Sequence, residues 1–411
     1  MREQPFFIFG EGDGRGFAYF VLLLVMDLKL FFQPLAESVY ANITDPQSIF
    51  HNLTAYTEDF PSYKDATLAI VGVPEGRGTG ENEATHSAPN EIRKKLYRLK
   101  KGQGTYRIVD LGNMNPGVDL DETQVRVREV CSALLRQGVL PILLGGGHHL
   151  SYGQYQAYED MEKLVTFLNV DAALDLEAEA SSQPNKSFLH RVITHEPNYL
   201  FHFSHLAYQS YLVHPDTTNL IETLFFEAYR LGQLRDKPKD MEPVIRQADL
   251  MAFDIGAIKW ADAPGHLEAQ PFGLTGEEAC QICWYAGINE KMSSVGFYEY
   301  NPSLDDERKR TATVVATMVW YFIEGFHHRR DRLNFTTTDY LKYVVSMPSE
   351  PEVLVFYKSK LSEKWWLEVP HPQGPKYYPR QVVVPCSYSD YERANYGELP
   401  ERWVQTQARL V

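Results

Sequence analysis

Seven short runs rich in apolar and β-branched residues are spaced along the first three quarters of the chain: TLAIVGV (67–73), YRIVDLG (106–112), LPILLGGG (140–147), LVTFLNVDA (164–172), YLFHFS (199–204), DLMAFDIG (249–256) and SSVGFYEY (293–300). Amphipathic helical stretches such as SAPNEIRKKLYRL and DETQVRVREVCSALLRQG lie between several of them. Strands that are apolar throughout, rather than alternating, are buried on both faces, and helical crossovers are what connect parallel strands. The pattern predicts an α/β protein: three layers, α/β/α, around a mainly parallel central sheet. In such sheets ligands bind beyond the carboxyl ends of the strands.

Composition sets the limits around that frame. With 411 residues, 44% of them hydrophobic, the chain can bury a large core. Its net charge of −14 is spread over interspersed acids and bases, a poor match for a phosphate backbone or an anionic membrane surface. Four cysteines, Cys131, Cys280, Cys283 and Cys386, are too few for a disulfide framework and read as packed thiols in a reducing compartment. The apolar run Phe17–Met26 is too short to span a bilayer. Acids flank it and no small-residue cleavage site follows, so a signal peptide is disfavoured, and residues 1–25 read equally well as an extension upstream of a start at Met26. The expectation is a cytoplasmic protein.

The organisation expected is an N-terminal extension (1–64), a main domain (65–334) and an appended C-terminal segment (335–411). A long helix is expected from Leu304 to Phe326, with the bases of HHRR complementing its negative end and facing water. The appended segment carries Trp365, Trp366 and Trp403, three of the six tryptophans, and reads as packing through aromatics onto its own domain, with a protein-partner surface as the other reading.

The strand ends carry the chemistry. The third run ends in Gly146, Gly147, His148 and His149, the fourth in Asp171 and Asp175, the sixth in Asp254, and the seventh in Glu299 and Asn301. Carboxylates and an imidazole converging on one crevice repel unless a cation sits among them, and this oxygen and imidazole set suits manganese, iron or zinc. Taken one at a time, each acid reads equally as a cap or turn residue.

LLGGGHHLSYGQYQAYE, NVDAALDLEAEA, AFDIGAIKWADAPG, PFGLTGEEA and SVGFYEYNPSLD resemble, in order and spacing, the motifs of the ureohydrolase superfamily: arginase, agmatinase and formimidoylglutamase. VGVPEGRG and APNEIRKKL look like its opening strand and first helix. The Gly-Gly-Gly-His form is most similar to formimidoylglutamase. The likeness covers roughly residues 65 to 326; the segment beyond 335 has no counterpart in arginase. It implies an arginase-like fold and hydrolysis of an amidine or guanidino C–N bond by water activated between two manganese ions.

The resemblance also assigns the ligands. His148, Asp171, Asp175 and Asp254 match the complete set for the first ion. The two private ligands of the second ion fall on Ala173 and Gly256, so one position is intact and the other is dismantled. The cofactor expected is therefore one manganese or other divalent ion at the first site, or none. Lys259 lies where the family has a further acid, and its ammonium is a candidate to reach the vacated position. A histone-deacetylase-like one-metal reading fails, because that metal corresponds to the lost position.

Glu299 matches the family glutamate that accepts hydrogen bonds from the substrate's nitrogens, which implies a small cationic nitrogenous ligand. His149 is a candidate proton-transfer group, with His190 a weaker one. Ser187, Gln209 and Asn301 are candidate substrate contacts. Gly145, Gly146 and Gly147 permit close backbone approach and lack the lysine of a phosphate loop. Two functions follow: a single-metal or impaired amidine hydrolase, or a non-catalytic relative that binds a ligand or acts as a protein scaffold. Homo-oligomerisation is left open.

Overall fold

The computed structural model describes residues 27–105, 107–177, 183–236, 238–370 and 381–410. The Phe17–Met26 run lies outside them. Among the described residues no helix is long and apolar enough to cross a membrane.

Ten strands form the main sheet: β1 (Phe32–Gln33), β2 (Thr54–Ala55), β3 (Leu68–Gly72), β4 (Ile108–Met114), β5 (Leu140–Leu144), β6 (Val165–Val170), β7 (Leu200–Tyr208), β8 (Glu227–Arg230), β9 (Leu250–Asp254) and β10 (Ser294–Tyr298). Their order is β1-β4-β3-β5-β10-β9-β6-β7-β8, with β2 also on β4. Only β1 runs antiparallel to its neighbour. All residues of β3, β4, β5, β6, β9 and β10 are buried, as strands covered on both faces must be.

The helices are α1 (Ala88–Leu96), α2 (Leu120–Arg136), α3 (Ser151–Glu159), α4 (Pro184–Thr194), α5 (Pro215–Thr223), α6 (Leu231–Asp236), α7 (Pro238–Gln247), α8 (Gly276–Gly287) and α9 (Arg310–His327). Two apolar cores lie on the two faces of the sheet. One packs α1, α7, α8 and α9, through residues such as Ile92, Val244, Ile282 and Val319, against Ile70, Ile142 and Met251. The other packs α2, α3 and α4, through Val127, Tyr155 and Phe188, against Val71, Leu143 and Phe167. The α/β/α expectation is met. Buried Arg93 of α1 grips Asp110 of β4 through Nε and Nη2, each 2.8 Å from a carboxylate oxygen, and Tyr97 donates to the same carboxylate.

Two sequence expectations are corrected. The long helix begins at Arg310, not Leu304, because Asp305 folds the preceding turn back and accepts hydrogen bonds from the backbone N–H groups of Thr311 and Ala312. Arg329 of the HHRR run does not simply face water: it donates to the carbonyls of Gly287 and Met292, which lie at and just beyond the end of α8. Before residue 65, β1 and β2 pair with β4, and Leu35, Val39 and Ile49 enter the core.

The C-terminal segment is an antiparallel sheet in the order β11 (Tyr340–Ser346), β12 (Val353–Ser359), β13 (Trp365–Pro370), β14 (Gln381–Cys386), followed by α10 (Tyr388–Asn395) and α11 (Glu401–Leu410). Its aromatics serve its own packing: Trp365 stacks on Tyr391 at 4.8 Å, and Trp366 meets Phe335 and Tyr340. It docks on the main sheet's helices through Arg246 of α7, whose guanidinium lies 4.6 Å from the Trp366 ring centre and donates to the carbonyls of Trp365 and Cys386. Arg409 of α11 reaches Glu227 of β8 at 3.2 Å.

Candidate metal centre

Strands β5, β10, β9 and β6 are consecutive neighbours and all parallel, so their carboxyl ends open side by side. Each delivers its polar residue at the point where the ladder stops: His148 in the 3-10 turn after β5, Glu299 directly after β10, Asp254 as the last residue of β9, and Asp171 and Asp175 in the turn after β6. Spacing of about 4.8 Å between neighbouring strands is what brings groups so distant in sequence within reach of one another.

The turn after β5 needs its glycines. A Cβ at Gly146 would lie 1.6 Å from the Glu75 carbonyl oxygen, and one at Gly145 would lie 2.4 Å from the Tyr298 ring. The backbone therefore lies close against its neighbours and sets His148 over the crevice.

His148 is fully buried, its ring stacked 5.6 Å from that of Tyr298 and tilted against that of Phe188 at 4.3 Å. Its Nδ1 faces Oδ2 of Asp254, Asp175 and Asp171 at 3.2, 3.4 and 3.7 Å, and makes no regular hydrogen bond. One ligand atom from each of these four residues lies within 4.8 Å of the others. An orphaned imidazole nitrogen among three carboxylates, those of Asp171 and Asp254 buried and that of Asp175 half-buried, is a donor set that fits a divalent cation.

The electrostatics describe the same need. Burial, then Asp254 and Asp175, pushes Asp171 well above the usual carboxylate range. Asp175 is raised by burial, against the pull of His148. At Asp254 burial also acts upward, but His148, His266 and the Gly256 N–H outweigh it and hold this acid low. His148 itself is driven well above its ordinary value because the neighbouring carboxylates overcome its burial.

Glu299 sits beside the cluster with a backbone φ of 66°, a left-handed conformation that costs free energy in a residue with a Cβ and is retained where geometry matters. Its carboxylate accepts the His148 N–H at 2.7 Å, Asn82 Nδ2 at 2.7 Å and Asn185 Nδ2 at 3.4 Å. Burial first, and then Asp254, raises its pKa to about 8. Asn301, buried, donates to Asn82 Oδ1 and so braces the same group from behind.

The other candidates divide. His149 is buried with neither ring nitrogen hydrogen-bonded, and burial lowers its pKa to about 4; its ring lies by Gly78 and Gly147, outside the four-residue cluster. Ser187 is buried on α4 and bonds the Pro184 carbonyl. Gln209 donates to the Phe272 carbonyl. His190 is half-buried on the same helix as Ser187.

The Lys259 ammonium pairs with Asp262 at 3.5 Å. His266 lies beside Gly256, with Nε2 3.4 Å from Asp254 Oδ1. His266, Asn82 and Asn185 were not legible as site residues, because they lie in loops or at a helix start and carry no strand-end signature. His205 was also missed. Its ring bridges Asn169 and the Asp171 carbonyl, at 3.2 and 3.1 Å, and burial lowers its pKa to about 3, so a neutral imidazole fixes the backbone that presents Asp171.

Known proteins resemble this chain in sequence and in fold. The formimidoylglutamase of Staphylococcus aureus (strain JH9) is 26% identical over 301 residues, covering 68% of this chain and 94% of that protein. The formimidoylglutamase of Salmonella paratyphi C (strain RKS4594) is 33% identical over 138 residues; there the chain spans less than half the relative, 44% of its length and 32% of this chain. Among solved structures, Trypanosoma cruzi formiminoglutamase with Mn2+ matches with a TM-score of 0.61 and 21% identity, covering 66% of this chain and 96% of that one. The formimidoylglutamase of Bacillus subtilis subsp. subtilis str. 168 gives 0.62 and 18%, covering 72% and 97%. At these identities the two structures speak for the fold alone. The Arginase family model matches residues 66–324, more than half of the chain, and the chain therefore belongs to the arginase family.

Proposed function

We propose that this protein is a formimidoylglutamase-like hydrolase of a linear amidine C–N bond that works with a single divalent ion, manganese first among the candidates. The observation that carries the reading is the cluster of His148 Nδ1 with Asp171, Asp175 and Asp254, whose ligand atoms lie within 4.8 Å of one another. Ala173 and Gly256, by contrast, have no side-chain donor to offer a second ion. When bound, a divalent ion supplies a nucleophilic water at neutral pH and polarises the group under attack.

The chain's own residues do the rest. Glu299, fixed by the His148 N–H and Asn82, presents carboxylate edge to an amidinium, and charge-assisted hydrogen bonds there orient the carbon for attack. Asn301 keeps Asn82 in place. His149, kept neutral by burial, is assigned to take up the proton that the attacking water loses and pass it to the leaving nitrogen, and Ser187 and Gln209 the flank of the substrate. The wall formed by Phe188 and Tyr298 keeps water from the His148 ring.

One observation favours the second reading, a ligand-binding relative without turnover: the chain's own donors already engage both Glu299 oxygens. Metal content by elemental analysis, paired with an assay for formamide release from N-formimidoylglutamate, separates the two. One ion per chain with turnover that Glu299→Gln abolishes upholds the hydrolase. One ion with no turnover upholds the binding protein, and two ions per chain refute the single-metal reading.

A further inference from the structure

His266 lies in the loop beyond β9, twelve residues past Asp254 (266 − 254), and no ligand motif includes it. A Cβ at Gly256 would lie 2.9 Å from its Cε1, 3.0 Å from its Nε2 and 3.0 Å from Asp254 Oδ1. The space that a side chain at 256 would enter is therefore already filled by an imidazole. The backbone N–H of Glu268 donates to His266 Nδ1 at 3.0 Å. A nitrogen that accepts a hydrogen bond carries no proton, so in the neutral ring the hydrogen is on Nε2, the atom facing Asp254 Oδ1 at 3.4 Å. Nε2 then has no lone pair to give to an ion. It is a donor at contact distance, longer than a regular hydrogen bond, from a carboxylate oxygen that already accepts the Gly256 N–H at 2.6 Å.

We infer that His266 takes the place of a second metal ion in this chain: its imidazole fills the space beside Gly256 and sets a proton-bearing Nε2 next to Oδ1 of Asp254, while Oδ2 faces His148 and the single ion. The inference rests on the single-metal reading above and deepens it. It accounts for the paired absence of ligands at 173 and 256, since a proton donor rather than an ion satisfies the outer oxygen of Asp254. His266 is a positioning residue; the loop that carries it is pinned by Gly265, whose N–H donates to Thr311 Oγ1 and whose carbonyl accepts the Asn301 N–H, both at 2.8 Å.

Manganese titration of the full chain, read by elemental analysis and by electron paramagnetic resonance for spin-coupled pairs, tests it. The natural chain is expected to take one ion, and Ala173→His/Gly256→Asp still one, because His266 remains in the way. Adding His266→Ala to that pair should admit a second, spin-coupled ion. His266→Ala alone should keep one ion bound about 10–100-fold more weakly, as loss of an outer partner does. Two ions in the natural chain or in the double variant overturn the inference, as does a triple variant that stays at one. The imidazole tautomer of His266, read by nitrogen NMR on metal-free protein, decides it independently: an Nδ1–H form refutes it. A chain that takes no ion in any variant sinks the single-metal reading while the tautomer spectrum still judges His266.

Discussion

Asp171→Asn is expected to move stability in opposite directions depending on whether metal is present. Without an ion, Asp171 is 5% exposed and lies beside Asp254 and Asp175, and burial with those neighbours holds its pKa well above the usual range. A carboxyl group whose folded pKa is raised binds more protons in the folded state. Its favourable contribution is complete below the unfolded value near about 4 and is lost as pH rises through the folded value. At neutral pH the ionised group is therefore a cost, and the isosteric amide removes it. Metal-free Asp171→Asn should match or exceed the natural chain in Tm at pH 7.5 and show a flatter decline in stability above pH 4. With manganese at about a hundredfold excess over Kd, the natural chain gains about 2.7 kcal/mol. That corresponds to roughly 5–10 °C at about 2–4 °C per kcal/mol. A variant whose affinity has fallen about a hundredfold gains only about 0.4 kcal/mol at the same concentration. Scanning calorimetry with chelator and with manganese reads both arms. An amide that destabilises the metal-free chain, or that leaves the manganese shift intact, refutes the claim that these acids are gathered to hold a cation.

Three further outcomes follow from the packing. Gly146→Ala, whose Cβ would lie 1.6 Å from the Glu75 carbonyl oxygen, should cost at least about 3 kcal/mol in urea unfolding and weaken metal binding; a neutral result would mean that the β5 turn is pliant. Arg93→Met should cost about 3–5 kcal/mol by stranding the fully buried Asp110, and Arg93→Met/Asp110→Leu should recover much of it; equal losses in both would place the cost in packing rather than in the lone charge. Arg246→Met leaves the Trp365 and Cys386 carbonyls without their donor and removes the contact with Trp366, so tryptophan fluorescence should report the C-terminal sheet melting ahead of the main domain. Coincident transitions would show that the two sheets are held together by something other than Arg246.

Some of this was readable from residues alone because the cause is local or periodic. Continuous apolar runs such as LAIVG and LMAFD identify strands covered on both faces, and the acids that end them are placed by where the ladder stops. The four-residue cluster was legible for that reason, together with its likeness to the ureohydrolase motifs. β8 was not, because EAYR is too short and polar to stand out from a loop. His266 was hidden by loop geometry: its place beside Asp254 depends on the path from Ala257 to Thr275, which no spacing rule describes. Lys259 was a candidate on proximity in sequence alone, and its ammonium pairs with Asp262. Asn82, in the 3-10 turn of residues 80–87, meets Glu299 across more than half the chain, a contact visible only after β3 and β10 are both set in the sheet.

Four adjacent, ladder-paired strands carry the groups of the crevice, one strand end to each of His148, Glu299, Asp254 and the Asp171–Asp175 turn. The width of the hollow is therefore dictated by how far apart neighbouring strands lie. Occupancy and architecture become separate inheritances. A lineage can discard ligands singly, or replace an ion by a hydrogen-bond donor, without disturbing the frame that holds the remainder at coordinating distance.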